Sequence, residues 1–123
     1  MEFEPSYCRY CGNELEKKQA EGRERPYCPN CDRILWQNAE PVAATVVRKG
    51  DEILFVKRGI EPGKGEWSLP AGFLEFDEEP AKAAVRELEE ETGLKVEASD
   101  LEIFQSLAME RFSGQRLVAF IFT

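Results

Sequence analysis

The chain has 123 residues, 42% of them hydrophobic and 33% charged, and a formal net charge of −8. That size suits one ordinary domain, or a small one with an appendage, and the composition is that of a soluble globular protein. The acidic balance argues against nucleic acid as the main partner, although a phosphate substrate held through divalent cations stays open.

Residues 1–37 are rich in charge and turns, with too few apolar positions to bury a core unaided. They carry Cys8, Cys11, Cys28 and Cys31 as two C-x2-C pairs sixteen residues apart. Each C-x2-C turn aims two thiolates at one centre, and two such turns complete a tetrahedron around Zn2+. Gly12 follows the first pair, where a tight knuckle favours a residue tolerant of positive φ. Two disulfides or a redox pair are the competing readings. The first ten residues hold no signal-peptide core, so the cytosol is the default compartment and a metal the expected cross-link. With four protein ligands the zinc has no open position, and its role is structural. No apolar run approaches the roughly 20 residues that span a bilayer, so no membrane is expected.

A second domain is expected over 38–123. Residues 42–47 read as a buried strand, 48–51 as a turn, and 53–56 as the return strand of a hairpin. Residues 58–66, with three glycines and a proline, read as an exposed loop. Lys57, Arg58 and Lys64 flank its glycines and are as suited to phosphate contact as to plain solvation. A short extended piece from Trp67 ends at Ala71 and Gly72. The pattern then predicts a helix over 80–92, opened by Pro80 and stopped by Gly93. Ala81, Ala84, Val85 and Leu88 form its apolar stripe. Strands over 101–108 and 117–122 follow, with Arg111 and Arg116 bracketing a turn at Ser113 and Gly114. Trp36 and Trp67 are expected as core aromatics beside strands rather than as stacking surfaces.

The chain has no histidine, so carboxylates, thiolates and water must do any chemistry. Successive helical residues turn by about 100°. Glu87, Glu90 and Glu91 therefore share one face, about a quarter turn from the apolar stripe. Three like charges this close repel, and a hard cation such as Mg2+ or Mn2+ among them relieves the repulsion. Taken by themselves, those three residues are better explained as part of a glutamate-rich surface helix, since glutamate is a good helix former.

The context decides between the two. From Gly72 to Leu94 the chain reads Gly72, five residues, Glu78, seven residues, then Arg86-Glu87-Leu88-Glu89-Glu90-Glu91-Thr92-Gly93-Leu94. This resembles the Nudix box, G-x5-E-x7-R-E-U-x-E-E-x-G-U with U aliphatic. The resemblance implies an α/β fold, an α/β/α sandwich with a mixed sheet. It also implies divalent metal, Mg2+ or Mn2+, bound by Glu87, Glu90, Glu91 and the main-chain carbonyl of Gly72. Arg86 would orient the carboxylates, Glu78 would support or supplement the ligands, and Glu90 or Glu91 is the candidate base. Leu88 and Leu94 would be core. The implied reaction is attack by water on a nucleoside diphosphate linked to another moiety.

The order of a cysteine ribbon, Trp36, Asn38, Pro41 and then the first strand is similar to the zinc-ribbon Nudix group. That group includes NADH pyrophosphatases and ADP-ribose pyrophosphatase-like enzymes. Ala71 and Asp77 depart from common glycine positions. The stretch 104–109 lacks the Ser-Gln-Pro-Trp-Pro-Phe-Pro-x-Ser motif of NADH pyrophosphatases, which shifts the expected substrate toward ADP-ribose or a related nucleotide sugar. Residues 38–123 are fewer than the family's usual domain. A C-terminal truncation, or completion by a partner subunit, is therefore expected, with the apolar strand over 117–122 at risk of lying unpaired. A homodimer is compatible with the family. The competing function is a catalytically inactive Nudix scaffold serving as a nucleotide sensor or a nucleic-acid-docking ribbon.

Overall fold

The structure, a computed structural model, describes residues 4–111 and 114–123. Residues 1–3 and Ser113 of the expected turn lie outside the described residues. The chain divides into two compact units, Met1–Asn38 and Ala39–Thr123.

The first unit is a small antiparallel sheet of β1 (Glu16–Ala20), β2 (Arg23–Cys28) and β3 (Arg33–Ile34). Glu21 and Gly22 make the β1–β2 turn with positive φ at both positions, 47° and 80°, the geometry that matches a two-residue hairpin to strand twist. These strands were not legible beforehand. Along β2, Pro26 and Cys28 face inward while Arg25 and Tyr27 stay partly exposed, a period of two. The interior is Cys8, Cys28 and Leu35, with Leu15 and Cys31 packed against them.

The second unit is built on a four-stranded sheet in the order β10-β11-β4-β9, from β4 (Glu40–Thr45), β9 (Ala71–Phe73), β10 (Ile103–Arg111) and β11 (Gln115–Phe122). The β11–β4 pairing is parallel and the others antiparallel, so the sheet is mixed. Two small ribbons accompany it: β5 (Arg48–Lys49) with β6 (Glu52–Ile53), and β7 (Val56–Lys57) with β8 (Trp67–Ser68). The expected hairpin return over 53–56 is thus divided. Its first residue closes a turn at Gly50 and Asp51, and Val56 turns to β8 instead. The strand over 117–122 is not unpaired: β11 lies between β10 and β4, which satisfies both of its backbone edges.

Helix α1 (Pro80–Thr92) has the expected bounds. Pro80 fits the first turn, where its missing N–H costs nothing. Gly93 takes the left-handed conformation at φ 78°, and its N–H donates to the Glu89 carbonyl at 2.8 Å. Ala83, Ala84 and Leu88 are buried; Ala83 was missed, and Ala81 and Val85 are half-buried. Ala83 and Ala84 pack with Ala43 and Phe122 on one sheet face, where small side chains let helix and sheet approach closely. Val42, Leu117 and Ala119 cluster separately, as the alternation along β11 requires. This packing sets β9 against the flank of α1 that carries the glutamates. Among the described residues no helix is long and apolar enough to cross a membrane.

Candidate functional site

Leu88, 1% exposed, fixes the rotation of α1, so its neighbours Glu87, Glu90 and Glu91 are carried to the side that meets β9. Arg86 organises this side. Its Nε and Nη2 each donate to Glu78, to Oε2 and Oε1, both at 2.8 Å. Its Nη1 donates to Glu87 Oε1 at 2.8 Å and reaches both Glu90 oxygens at 3.4 Å. Nη2 also donates to the Phe73 carbonyl at 3.1 Å, tying the end of β9 to the helix. A guanidinium suits this because its planar fork matches a carboxylate with two parallel bonds. Those bonds, with the N–H of Glu75 donated at 3.1 Å, hold the Glu78 carboxyl down at about 2. The same carboxylates push Arg86 up, so it stays charged throughout.

Gly72 lies at the centre of β9, paired with Ala43. A Cβ built on it would overlap the carboxyl group of Glu87. Main chain and carboxylate therefore meet with no side chain between them, the close approach that a cation shared by both requires. Glu91 Oε1 accepts the Ala71 N–H at 3.4 Å. Burial, followed by the charges of Glu87 and Glu90, pushes the Glu91 carboxyl up. The site thus holds two acids of opposite tendency, Glu78 in the preceding loop fully ionised and Glu91 on the helix reluctant. Glu90 is exposed, its side chain 57% open to solvent.

The four cysteine Sγ atoms lie within 4.8 Å of one another, and Cys11 and Cys28 approach to 3.5 Å. They are the one such ligand group among the described residues; the glutamate face is looser, with Arg86 inserted among its carboxylates. The thiols form no disulfide. Each knuckle donates a backbone N–H to its first sulfur, Tyr10 to Cys8 and Cys31 to Cys28, both at 3.4 Å. Gly12 has φ 78°, as the first turn needs. A backbone hydrogen bond at Asn13 helps lower the Cys11 thiol to about 6, while Cys31, hydrogen-bonded to Cys11, is pushed up to about 12. Four sulfurs gathered in this way can hold a metal ion.

Several expectations do not survive. Leu94 is 44% exposed rather than core, because the chain leaves the helix at Gly93 before it. Trp67 is 63% exposed and Trp36 41%, so neither is a core aromatic. Trp67, Phe55, Ile53 and Leu94 instead line an open groove of about 720 Å³. Part of the signal for it was the apolar Ile53 and Trp67 on two-residue strands too short to bury them. Lys57 lies over the Trp67 ring at 5.7 Å, across the β7–β8 pairing, and Arg58 Nε donates to the Pro62 carbonyl at 2.7 Å. Arg116 pairs with Glu110 across β10–β11 at 3.7 Å, an ordinary hairpin charge pair.

The family profile described as NUDIX domain matches residues 39–123. The NAD-capped RNA hydrolase NudC of Pseudomonas aeruginosa is 36% identical over 89 residues, 72% of this chain and 32% of that protein. The ADP-ribose pyrophosphatase of Methanocaldococcus jannaschii is 47% identical over 49 residues, 40% of this chain and 29% of that protein. Among solved structures, a NUDIX hydrolase from Nitrosomonas europaea superposes with a TM-score of 0.67 at 30% identity, covering 96% of this chain and 66% of that one. The NUDIX domain of Shewanella oneidensis NrtR, crystallised with ADP ribose, shares the fold at a TM-score of 0.60 and 22% identity, covering 79% of this chain and 64% of that one. The chain spans about a third of the length of the curated relatives it matches.

Proposed function

Because the chain belongs to the Nudix family, we propose that it is a divalent-metal-dependent hydrolase of nucleoside diphosphates linked to another moiety, with ADP-ribose or a related nucleotide sugar as the substrate class. The observation that carries this reading is the bare approach of Gly72 to the Glu87 carboxylate beside Glu90 and Glu91. Glu87, Glu90, Glu91 and the Gly72 carbonyl are the oxygen donors for Mg2+ or Mn2+. When bound, the metal supplies charge to a phosphoryl oxygen and acidity to water.

The chain's own residues do the rest. Arg86, pinned by Glu78 and the Phe73 carbonyl, fixes the rotamers of Glu87 and Glu90 before substrate arrives, which lowers the reorganisation left for the reaction. Glu78 is committed to Arg86 by two bonds and acts by positioning it. Glu90 and Glu91 are the carboxylates left to accept a proton from attacking water. Trp67, five residues before Gly72 in the chain, lines the groove and offers a flat apolar wall to a base or second ring. In the other unit the four cysteines hold a structural Zn2+ that replaces the missing apolar core.

The deciding experiment measures Mg2+-dependent AMP release from ADP-ribose, NADH and ADP-sugars by this chain and by Glu90→Gln. Turnover on ADP-ribose reduced at least about a hundredfold in the variant supports the assignment. Nucleotide binding without turnover in either protein would favour the inactive-scaffold reading.

A further inference from the structure

We propose that the cysteine-bearing unit docks single-stranded nucleic acid on an arginine–aromatic face made by Arg9, Tyr10, Arg25, Arg33 and Trp36. The proposal is independent of the hydrolase reading, since every residue in it lies within the first unit. The Arg33 guanidinium sits 4.3 Å from the centroid of the Tyr10 ring and that of Arg9 5.3 Å from the same ring. Arg9 also donates to the Trp36 carbonyl at 3.5 Å, and Arg25 lies 4.7 Å from the Trp36 ring. The Tyr10 and Trp36 rings thus each meet a guanidinium, and Arg9 joins the two groups through the Trp36 main-chain carbonyl, with Tyr10 57% and Trp36 41% exposed.

Local structure forces this face outward. Arg9 and Tyr10 are the two middle residues of the first C-x2-C turn, displayed because Cys8 points in and is buried. Arg33 opens β3 directly after the second turn, and Trp36 follows the buried Leu35. Arg25 alternates with buried Pro26 on β2. Among the described residues no carboxylate pairs with Arg9, Arg25 or Arg33; the ion pairs of this unit belong to Lys17, and the Asp32 carboxylate accepts from the Tyr27 hydroxyl at 2.6 Å.

The net charge of −8 is unevenly spread. Six basic and seven acidic residues lie in 1–38, against ten and seventeen beyond. The bulk electrostatic argument against nucleic acid therefore weighs mainly on the second unit, and in the first any attraction comes from the local arginine cluster rather than from net charge. A single strand offers a flat base and an anionic phosphate at each nucleotide, which suits rings interleaved with guanidiniums. A duplex keeps its base faces stacked inside and gives Tyr10 and Trp36 nothing to cover. An acidic peptide would neutralise the arginines and leave the rings bare.

The test is fluorescence anisotropy of labelled oligouridylate and oligothymidylate with the full, metal-loaded chain over a salt series. Binding is expected to weaken about fivefold to a hundredfold in Trp36→Ala, the loss of one base stack, and to persist largely in Trp36→Phe. Each of Arg9→Gln and Arg33→Gln should reduce the slope of log affinity against log salt by about 0.7. Metal content checks that each variant keeps its fold; should Trp36→Ala lose its metal, Trp36→Phe and the arginine variants decide. Four results would overturn the proposal: no binding at low salt, equal affinity for duplex, equal displacement by oligoglutamate, or unchanged affinity in the metal-bearing variants.

Discussion

Replacing Gly72 with alanine tests the geometry of the site with the smallest available perturbation. The added methyl group would overlap the Glu87 carboxyl. Only the far end of a flexible side chain opposes it, so the backbone of β9 need not move. Glu87 must swing away, which breaks its 2.8 Å ion pair with Arg86. That pair is partly buried, 29% and 16% exposed, so its loss costs about 1–2 kcal/mol. In a unit of this size that is roughly 5–15 °C in Tm. The functional effect should be larger than the structural one. Displacing one oxygen ligand of a divalent ion should weaken Mn2+ binding at least about 10- to 100-fold, the range known for loss of mere supporting partners.

Gly59→Ala is the matched control: nothing lies within 4 Å of its added Cβ. It should bind Mn2+ as the parent does and gain or lose less than about 1 kcal/mol. The assay is Mn2+ titration followed by electron paramagnetic resonance of the free ion, with calorimetric Tm on the same samples. Mn2+ affinity of Gly72→Ala within twofold of the parent would refute the argument, because it would mean that metal is held without Glu87 in this position.

Glu78→Gln should destabilise the chain by about 2 kcal/mol near neutral pH, by loss of charge-assisted bonds to Arg86. Since the folded carboxyl is held at about 2, below the ordinary 4.5, its contribution is complete above about pH 4.5 and disappears as pH falls toward 2. The difference in Tm between parent and variant should shrink across that window; a constant difference would contradict it. Glu91 has the opposite sign: its raised pKa makes ionisation unfavourable in the fold, so Glu91→Gln should stabilise the metal-free chain above the ordinary carboxylate range. Chelation should release one Zn2+ per chain and erase the amide protection of β1–β3, leaving that of β4 and β11 unchanged.

The legible and illegible parts of this chain divide by the range of the forces involved. Helix α1 was readable to the residue because Pro80, the apolar stripe and Gly93 act within a few turns. The gathering of the four cysteines was readable because each C-x2-C turn is itself local. The box spacing announced Glu78, Arg86 and the glutamates, but only the fold shows why Glu78 is needed eight residues before Arg86. The loop from Phe73 to Glu79 returns the chain so that Glu78 meets the guanidinium beside the Phe73 carbonyl. Register failed where it depended on partners distant in sequence. Val56 left the expected hairpin for β8, and β11 found β4 more than seventy residues away. The tryptophans failed for a related reason. An aromatic beside a strand is buried only if another layer covers it, and a two-residue strand such as β8 brings no such layer over Trp67. Trp36 stays out because Leu35 takes the inward position in a core already filled by sulfur. A unit whose interior is three cysteines and two leucines has little room to offer, so its large aromatics go to the surface, where their rings are free to meet arginine and whatever the arginines attract.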